Sequence, residues 1–185
     1  MKVLIIIPAY NEENKIANVI KKIPTNIADE IVVINDCSTD QTEIVAKNAG
    51  AKVISHSKNM GVGAGIKTGI KYAIENNYDI VAILSGDDQH DPTQLEGLLK
   101  PILKDGYDFV QGSRRISNKL DAPNINTFRK IFTYIYSILF RILSGFYCTD
   151  ATNGGRAFKL SIFKNPKINI WQDWLNTYEL EPYLL

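Results

Sequence analysis

Val3-Leu4-Ile5-Ile6-Ile7-Pro8-Ala9-Tyr10-Asn11-Glu12-Glu13 is the stretch whose reading decides the fold class. Its apolar run is too short for a signal peptide or a membrane span, and it stops at a proline. A continuous apolar run of this length reads as a strand buried on both faces; a strand with one wet face would alternate. After the polar turn, Ile16, Val19, Ile20 and Ile23 recur at helical spacing, which predicts a helix over Glu12–Ile23.

The strand–loop–helix unit then repeats. Strands are expected at Glu30–Ile34, Lys52–Ser55, Asp79–Leu84 and Asp108–Gly112. Helices are expected at Gln41–Ala49, from about Gly63 to Glu75, and at Pro92–Leu103, where the proline suits a first turn and Asp91 a cap. Alternating elements of this kind predict an α/β fold with a mostly parallel central sheet and helices on both faces. The 185 residues suffice for one domain, 1–185.

Ligands of such sheets bind beyond the carboxyl ends of the strands. After the first strand comes Pro8 to Glu13, and after the second Asn35-Asp36-Cys37-Ser38-Thr39-Asp40. After the fourth comes Ser85-Gly86-Asp87-Asp88-Gln89-His90-Asp91-Pro92, and after the fifth Ser113-Arg114-Arg115. Three acidic loops and one basic loop therefore share an edge. Glu12, Glu13, Asp87, Asp88 and Asp91 lie in the first half, and Arg114, Arg115, Arg129, Arg141 and Arg156 in the second. That division suits a site with a metal-binding end and an anion-binding end.

The overall charge, +1 with 22% charged residues, lacks the basic surplus of a nucleic-acid binder, so no nucleic-acid partner is expected. Cys37 and Cys148 have no metal-ligand spacing and read as free thiols of a cytosolic protein. No run of about 20 uninterrupted apolar residues predicts a membrane span.

These loops have the chemistry to hold a nucleoside diphosphate sugar. Tyr10 can lie against the base and Asp36 can accept from base or ribose. Asp87 and Gln89 offer hard oxygen ligands to Mg²⁺ or Mn²⁺, which would stabilise the departing diphosphate. Gly61-Val62-Gly63-Ala64-Gly65, at a helix start, can let backbone approach the ligand or can serve packing alone. Bland readings stand beside these: Pro8 and Tyr10 as a turn, Asp36 as a helix cap, Asp87 and Asp88 as a solvated turn. His90 reads as a packed histidine and Arg115 as a surface charge.

Pro-Ala-Tyr-Asn-Glu-Glu at 8–13, Asn-Asp-Cys-Ser-Thr-Asp-Gln-Thr at 35–42, Asn59 and Gly61 before a helix, and Asp-Asp-Gln-His-Asp-Pro at 87–92 resemble family-two glycosyltransferases. Gly-Ser-Arg at 112–114 and Asp-Ala-Thr-Asn-Gly-Gly-Arg at 150–156 extend the resemblance over nearly the whole chain. The nearest branch is that of the dolichyl- and polyprenyl-phosphate mannosyl- and glucosyltransferases. The resemblance implies a GT-A, Rossmann-like fold, a divalent metal and inversion at the anomeric carbon. It implies nucleotide binding by Pro8, Ala9, Tyr10, Asn11, Glu12, Asp36, Gly65, Ser85, Gly86 and Asp87. It implies metal binding by Asp87 and Gln89, and catalytic duty for Asp87, Arg114 and Asp150. The family's metal motif is usually Asp-any-Asp, and Ser85 stands at its first position here.

Residues 128–147 carry Arg129, Thr133, Ser137 and Arg141 every four residues on an otherwise apolar and aromatic helix. A helix of this kind is either buried, as domain core or oligomer contact, or laid in a membrane interface. Two arginines argue against simple spanning. By resemblance, 124–147 is an interface helix beside a lipid-phosphate acceptor, with Arg114, Arg129, Thr133 and Arg156 contacting its phosphate. The implied function is hexose transfer from a GDP-mannose- or UDP-glucose-type donor to a polyprenyl or dolichyl phosphate, at the cytoplasmic face of a membrane and with peripheral contact. Two alternatives stay open: transfer to a glycan hydroxyl in cell-surface polysaccharide synthesis, and non-catalytic binding of a nucleotide sugar. An oligomer is left open. Residues 176–185 resemble the start of a family helix that normally runs on into a further strand, so the chain reads as cut short.

Overall fold

The computed structural model describes residues 1–88, 91–113, 127–145 and 147–184, with residues 127–130 described by their backbone. Strand β1 (Val3–Ala9) lies near the middle of a six-stranded sheet. Its odd residues Val3, Ile5, Ile7 and Ala9 enter one apolar layer, while Leu4 and Ile6 enter the other. Both faces are thus buried, as the uninterrupted apolar run requires. β1 pairs in parallel with β2 (Glu30–Asn35), and β2 in parallel with β3 (Lys52–Ser55). On its other side β1 pairs in parallel with β4 (Ile80–Ile83).

Two further strands, β5 (Phe109–Gln111) and β6 (Arg156–Lys159), complete the order β3-β2-β1-β4-β6-β5. β6 runs antiparallel to both β4 and β5 and separates them. This strand is absent from the sequence expectations. Arg-Ala-Phe-Lys is short and charged at both ends, and it becomes a strand because edges on both sides accept its hydrogen bonds. Ala157 and Phe158 are then fully buried.

Helices α1 (Ile16–Lys22), α2 (Thr42–Asn48) and α4 (Leu95–Lys104) cover one face through Val19, Ile20, Ala46, Leu95, Leu99 and Ile102. Helix α3 (Val62–Glu75) covers the other through Ile66, Ile70 and Ala73. Beside α3 pack the residues after β6, including Ile170, Leu175 and Leu180, the last opening a short helix α6 (Leu180–Tyr183). Backbone bonds pin this segment to α3. Ala64 N donates to Asn176 O (2.9 Å), and buried Lys67 Nζ donates to Gln172 O (3.0 Å).

The helix boundaries shift at two loops. The expected Glu12–Ile23 helix starts four residues later, because Glu12 to Lys15 form a turn closed on the Glu12 carbonyl by Lys15 N and Ile16 N, each at 2.9 Å. Pro92–Gln94 form a single tight turn ahead of α4, and Asp91 Oδ1 caps it by accepting from Thr93 N (3.0 Å) and Thr93 Oγ1 (2.8 Å).

Helix α5 (Thr127–Ser144) has inverted amphipathicity. The middle of its polar stripe faces the protein: Thr133 is half-buried, and Ser137 is buried, donates to Thr133 O (2.8 Å) and accepts from Ala151 N (3.2 Å), while Arg141 at the end of the stripe is exposed. Its apolar side faces outward, with Phe132 66% and Leu143 85% exposed alongside Ile131, Ile135, Leu139 and Ile142. Among the described residues α5 is therefore not packed as domain core. Among the described residues no helix is long and apolar enough to cross a membrane.

Candidate functional site

At the carboxyl edge of the sheet, the loops after β1, β2 and β4 enclose a cleft of about 520 Å³. Pro8, Ala9, Tyr10, Glu12, Asp36, Gly65, Ser85, Gly86 and Asp87 all line it. Three loops scattered over 80 residues meet because β2, β1 and β4 are adjacent and parallel, so their carboxyl ends open to one side. The β4 loop lies tightly on the β1 loop: a Cβ at Gly86 would come within 3.2 Å of Pro8 O.

The β1 and β2 loops are fastened to each other. Asn11 N donates to Ser38 Oγ (3.0 Å), Thr39 N to Asn11 Oδ1 (2.8 Å), Glu12 N to Thr42 Oγ1 (2.7 Å) and Gln41 N to Glu13 Oε2 (2.9 Å). Asp40 ties both ends, accepting from Glu13 N (3.1 Å) and Thr42 N (2.9 Å). Burial works against its charge, but the Thr42 hydroxyl and the amides of Thr42 and Glu13 outweigh it and hold the carboxyl below its ordinary value. Asn11, expected at the nucleotide, lies outside the cleft lining. Its side chain is spent on this fastening, and its φ of 54° is one that asparagine tolerates.

Asp36 is 5% exposed and is the best-connected group of the site. Oδ1 accepts from Met60 N (2.9 Å) and pairs with His56 Nδ1 (2.7 Å); Oδ2 accepts from Gly61 N (2.8 Å). A carboxylate only accepts, so the ring proton sits on Nδ1, and in the neutral ring Nε2 takes the Thr68 hydroxyl (2.9 Å). Each carboxylate oxygen has room for about two hydrogen bonds, which leaves one vacancy on Oδ2 for a ligand. Sequence reading missed His56. It stands immediately after β3, where the rule that ligands gather beyond strand ends would have found it.

The glycine-rich start of α3 meets protein. A Cβ at Gly63 would sit 2.4 Å from Leu175 O and 2.5 Å from Thr177 O, and one at Gly61 would sit 2.6 Å from Asn176 O. The close backbone approach allowed by Gly61 and Gly63 is thus to the segment 175–177. That segment brings Thr177, Tyr178 and Glu181 to the cleft, and Thr152 and Gly154 arrive from the chain leading into β6. None of these five was expected from sequence, since each depends on long-range packing.

Asp87 stands at the cleft, but Asp88 turns away with φ 59°. Asp88 accepts from Asn18 Nδ2 (2.6 Å) and from Lys22 Nζ (3.0 Å). Gln89 and His90 lie outside the described residues. Among the described residues no three of His, Cys, Asp and Glu converge to hold a metal. The chemistry present, an Asp87 carboxylate and a Ser85 hydroxyl lining one cleft, fits a Mg²⁺-type ion, which is often held by one or two carboxylates together with substrate phosphates.

On the acceptor side, Arg114 lies outside the described residues, as does the side chain of Arg129. Thr133 is half-buried on the inward stripe of α5. Asp150 is 1% exposed, accepts from Thr152 Oγ1 (2.9 Å) and is not part of the cleft lining. Arg156, expected at an acceptor phosphate, is also 1% exposed. Its guanidinium donates to the carbonyls of Glu181 (2.6 Å), Asn153 (3.1 Å) and Gly154 (3.4 Å). The charge lies where β6 enters the sheet and anchors α6, so the structure corrects that expectation. Exposed Arg141 stacks on Tyr147 with 4.2 Å to the ring centroid.

The sheet, with its edge cleft and one reversed strand, is the GT-A arrangement of nucleotide-sugar transferases. Glucosyl-3-phosphoglycerate synthase of Mycobacterium tuberculosis, solved with Mn²⁺, uridine diphosphate and phosphoglyceric acid, superposes with a TM-score of 0.66 at 23% identity. The match covers 87% of this chain and 56% of that one. The chain belongs to Glycosyl transferase family 2, whose model matches residues 4–165. A UDP-N-acetylglucosamine–dolichyl-phosphate N-acetylglucosaminyltransferase of Methanococcus voltae is 34% identical, over 88% of this chain and 71% of its own length. An undecaprenyl-phosphate mannosyltransferase of Micrococcus luteus is 30% identical, over 86% of this chain and 67% of its own length. The chain thus spans a little over half of the solved relative and about two thirds of the curated ones.

Proposed function

We propose that this chain transfers a hexosyl group from a nucleoside diphosphate sugar to the phosphate of a polyprenyl or dolichyl carrier at a membrane surface. The observation that carries the lipid part is α5, with Thr133 and Ser137 turned inward and a band of isoleucine, leucine and aromatic side chains turned out. Such a face suits the boundary between headgroups and acyl chains, where apolar and aromatic groups are buried without spanning. The relatives named for dolichyl and undecaprenyl phosphate support the same acceptor class.

In this reading the base lies by Tyr10, and the ribose or base meets the open Oδ2 position of Asp36. Mg²⁺ or Mn²⁺, held by Asp87, Gln89 and the donor's own phosphates, would supply charge neutralisation for the departing diphosphate. An acceptor phosphate, with a second pKa near 6 by analogy with protein phosphomonoesters, is already anionic at neutral pH. One of its oxygens bonds to the anomeric carbon as the bond from that carbon to the diphosphate oxygen breaks. The electron pair leaves with the nucleoside diphosphate, and no proton must be removed. Arg114, Arg129 and Thr133 are assigned to that acceptor phosphate, and the anomeric centre inverts. Asp150, buried beside the cleft, is assigned to orienting its surroundings.

The test is to incubate the protein with radiolabelled UDP-glucose, UDP-N-acetylglucosamine or GDP-mannose, Mn²⁺ and polyprenyl phosphate in detergent. Label should enter the organic phase from one donor. Elongation of a saccharide acceptor with no lipid-phase label would overturn the lipid reading.

A further inference from the structure

Four carboxylates line the cleft: Glu12, Asp36, Asp87 and Glu181. Glu12 is paired with Lys15 at 3.0 Å. Asp36 is held by His56, Met60 N and Gly61 N, and Asp87 is also engaged. Glu181 differs. Its carbonyl is gripped by Arg156 Nη1 at 2.6 Å, yet its carboxylate makes no hydrogen bond or ion pair with any described residue. The backbone is fixed, and the carboxylate feels the Arg156 charge without bonding to it.

The position narrows what that is. Glu181 is bonded to Arg156 of β6, and Asp36 directly follows β2; in the order β2-β1-β4-β6 these strands lie on opposite sides of β1 and β4. Asp87, after β4, lies between them in that order. With the base at Tyr10 and Asp36 and the diphosphate near Asp87, the next group along the cleft is the sugar. Glu181 is not in a three-residue metal cluster among the described residues. Sugar hydroxyls are the donors a half-buried carboxylate can bind, and two neighbouring hydroxyls match its two oxygens.

We infer that Glu181 is a specificity-determining residue that accepts hydrogen bonds from the hydroxyls of the transferred hexose. The inference rests on the nucleotide-sugar reading of the cleft but not on a lipid acceptor. Burial pushes the Glu181 carboxyl above the usual range, with the Arg156 charge opposing, so a group is held there that gains from being hydrogen-bonded. Gly61 and Gly63 serve the same end, because they let segment 175–177 close on α3 and deliver α6 to the cleft.

The test compares each nucleotide sugar with its own diphosphate by calorimetry: UDP-glucose and UDP-N-acetylglucosamine against UDP, and GDP-mannose against GDP. Glu181→Gln should weaken the preferred nucleotide sugar about 10-fold or more while leaving the diphosphate within about two-fold, since only the sugar loses a charge-assisted bond. Glu181→Asp keeps the charge that balances Arg156 but withdraws the oxygens by one methylene, and should show the same split. If both variants weaken sugar nucleotide and diphosphate alike, Glu181 is structural; if neither ligand is affected, it does not face the sugar. Either result overturns the inference. Failure of wild-type protein to label the lipid would refute the proposed acceptor and leave this comparison standing.

Discussion

Gly63→Ala is the perturbation whose consequences can be worked most fully. The added methyl would lie 2.4 Å from Leu175 O, 2.5 Å from Thr177 O and 2.8 Å from Asn176 C, where ordinary contact begins at 3.4 Å. All three are backbone atoms, so no side chain can swing aside. Segment 175–177 must retreat by about 1 Å, stretching the 2.9 Å bond from Ala64 N to Asn176 O. Overpacking of this kind costs about 1–3 kcal/mol, and the weakened hydrogen bond about 1 kcal/mol more. Alanine returns up to about 1 kcal/mol through its better helix propensity, leaving a net loss of roughly 2 kcal/mol. For a chain of this size that lowers the melting temperature by about 4–8 °C. Gly97, on the exposed side of α4 with nothing within 4 Å of its added Cβ, is the matched control, and Gly97→Ala should stabilise by about 0.5–1 kcal/mol. Both variants are measured by urea and thermal unfolding, together with affinity for nucleotide sugar. Gly63→Ala should lose affinity as well as stability, because Thr177, Tyr178 and Glu181 line the cleft. A Gly63→Ala protein as stable as Gly97→Ala would refute the account of how the segment is seated.

The other predictions follow the same geometry. His56→Leu should cost about 1.5–3 kcal/mol in urea unfolding and weaken UDP or GDP binding, because Asp36 loses the donor that fixes its rotamer; unchanged nucleotide affinity would reduce His56 to a packing role. Ser85→Asp should tighten Mn²⁺ binding in the presence of diphosphate, read by calorimetry, by placing a second carboxylate beside Asp87. Phe132→Glu with Leu143→Glu should abolish sedimentation with liposomes while leaving the melting temperature within about 2 °C, as exposed positions predict. Asp40 has a depressed folded-state pKa, so the stability it contributes is full above its ordinary value of 3.8 and is lost as pH falls through the lower folded value. Asp40→Asn should therefore flatten the decline in stability below about pH 4, and an unaltered slope would contradict the clamp.

The sequence was informative where the chemistry is local. A continuous apolar strand followed by a polar loop and a periodic helix is a short-range pattern, and such units at β1, β2 and β4 specified the parallel centre of the sheet, the edge that opens the cleft, and the Pro8, Asp36 and Asp87 loops. Asp91 as a cap was legible for the same reason, since donor and acceptor are two residues apart. β6 was not legible, because four residues with charged ends become a strand only between β4 and β5. Arg156 looked like an anion contact because its charge was visible and its burial was not. Asn11 was placed at the nucleotide by the family resemblance, whereas its side chain is consumed by Thr39 on the neighbouring loop.

What the sequence by itself determined was the α/β class, the order of the elements as far as β5 and the family, each written in residue spacing that a linear reading can follow. Tertiary structure alone decided which charges remain free. It buried Arg156 at the start of β6, turned Asp88 toward Lys22, engaged Asp36 with His56, and left Glu181 lining the cleft. It also turned the apolar side of α5 outward, which composition could not settle. The physical reason is the same in each case: the worth of a polar or apolar group depends on the partners that folding brings within hydrogen-bonding or contact distance, and those partners lie tens of residues away.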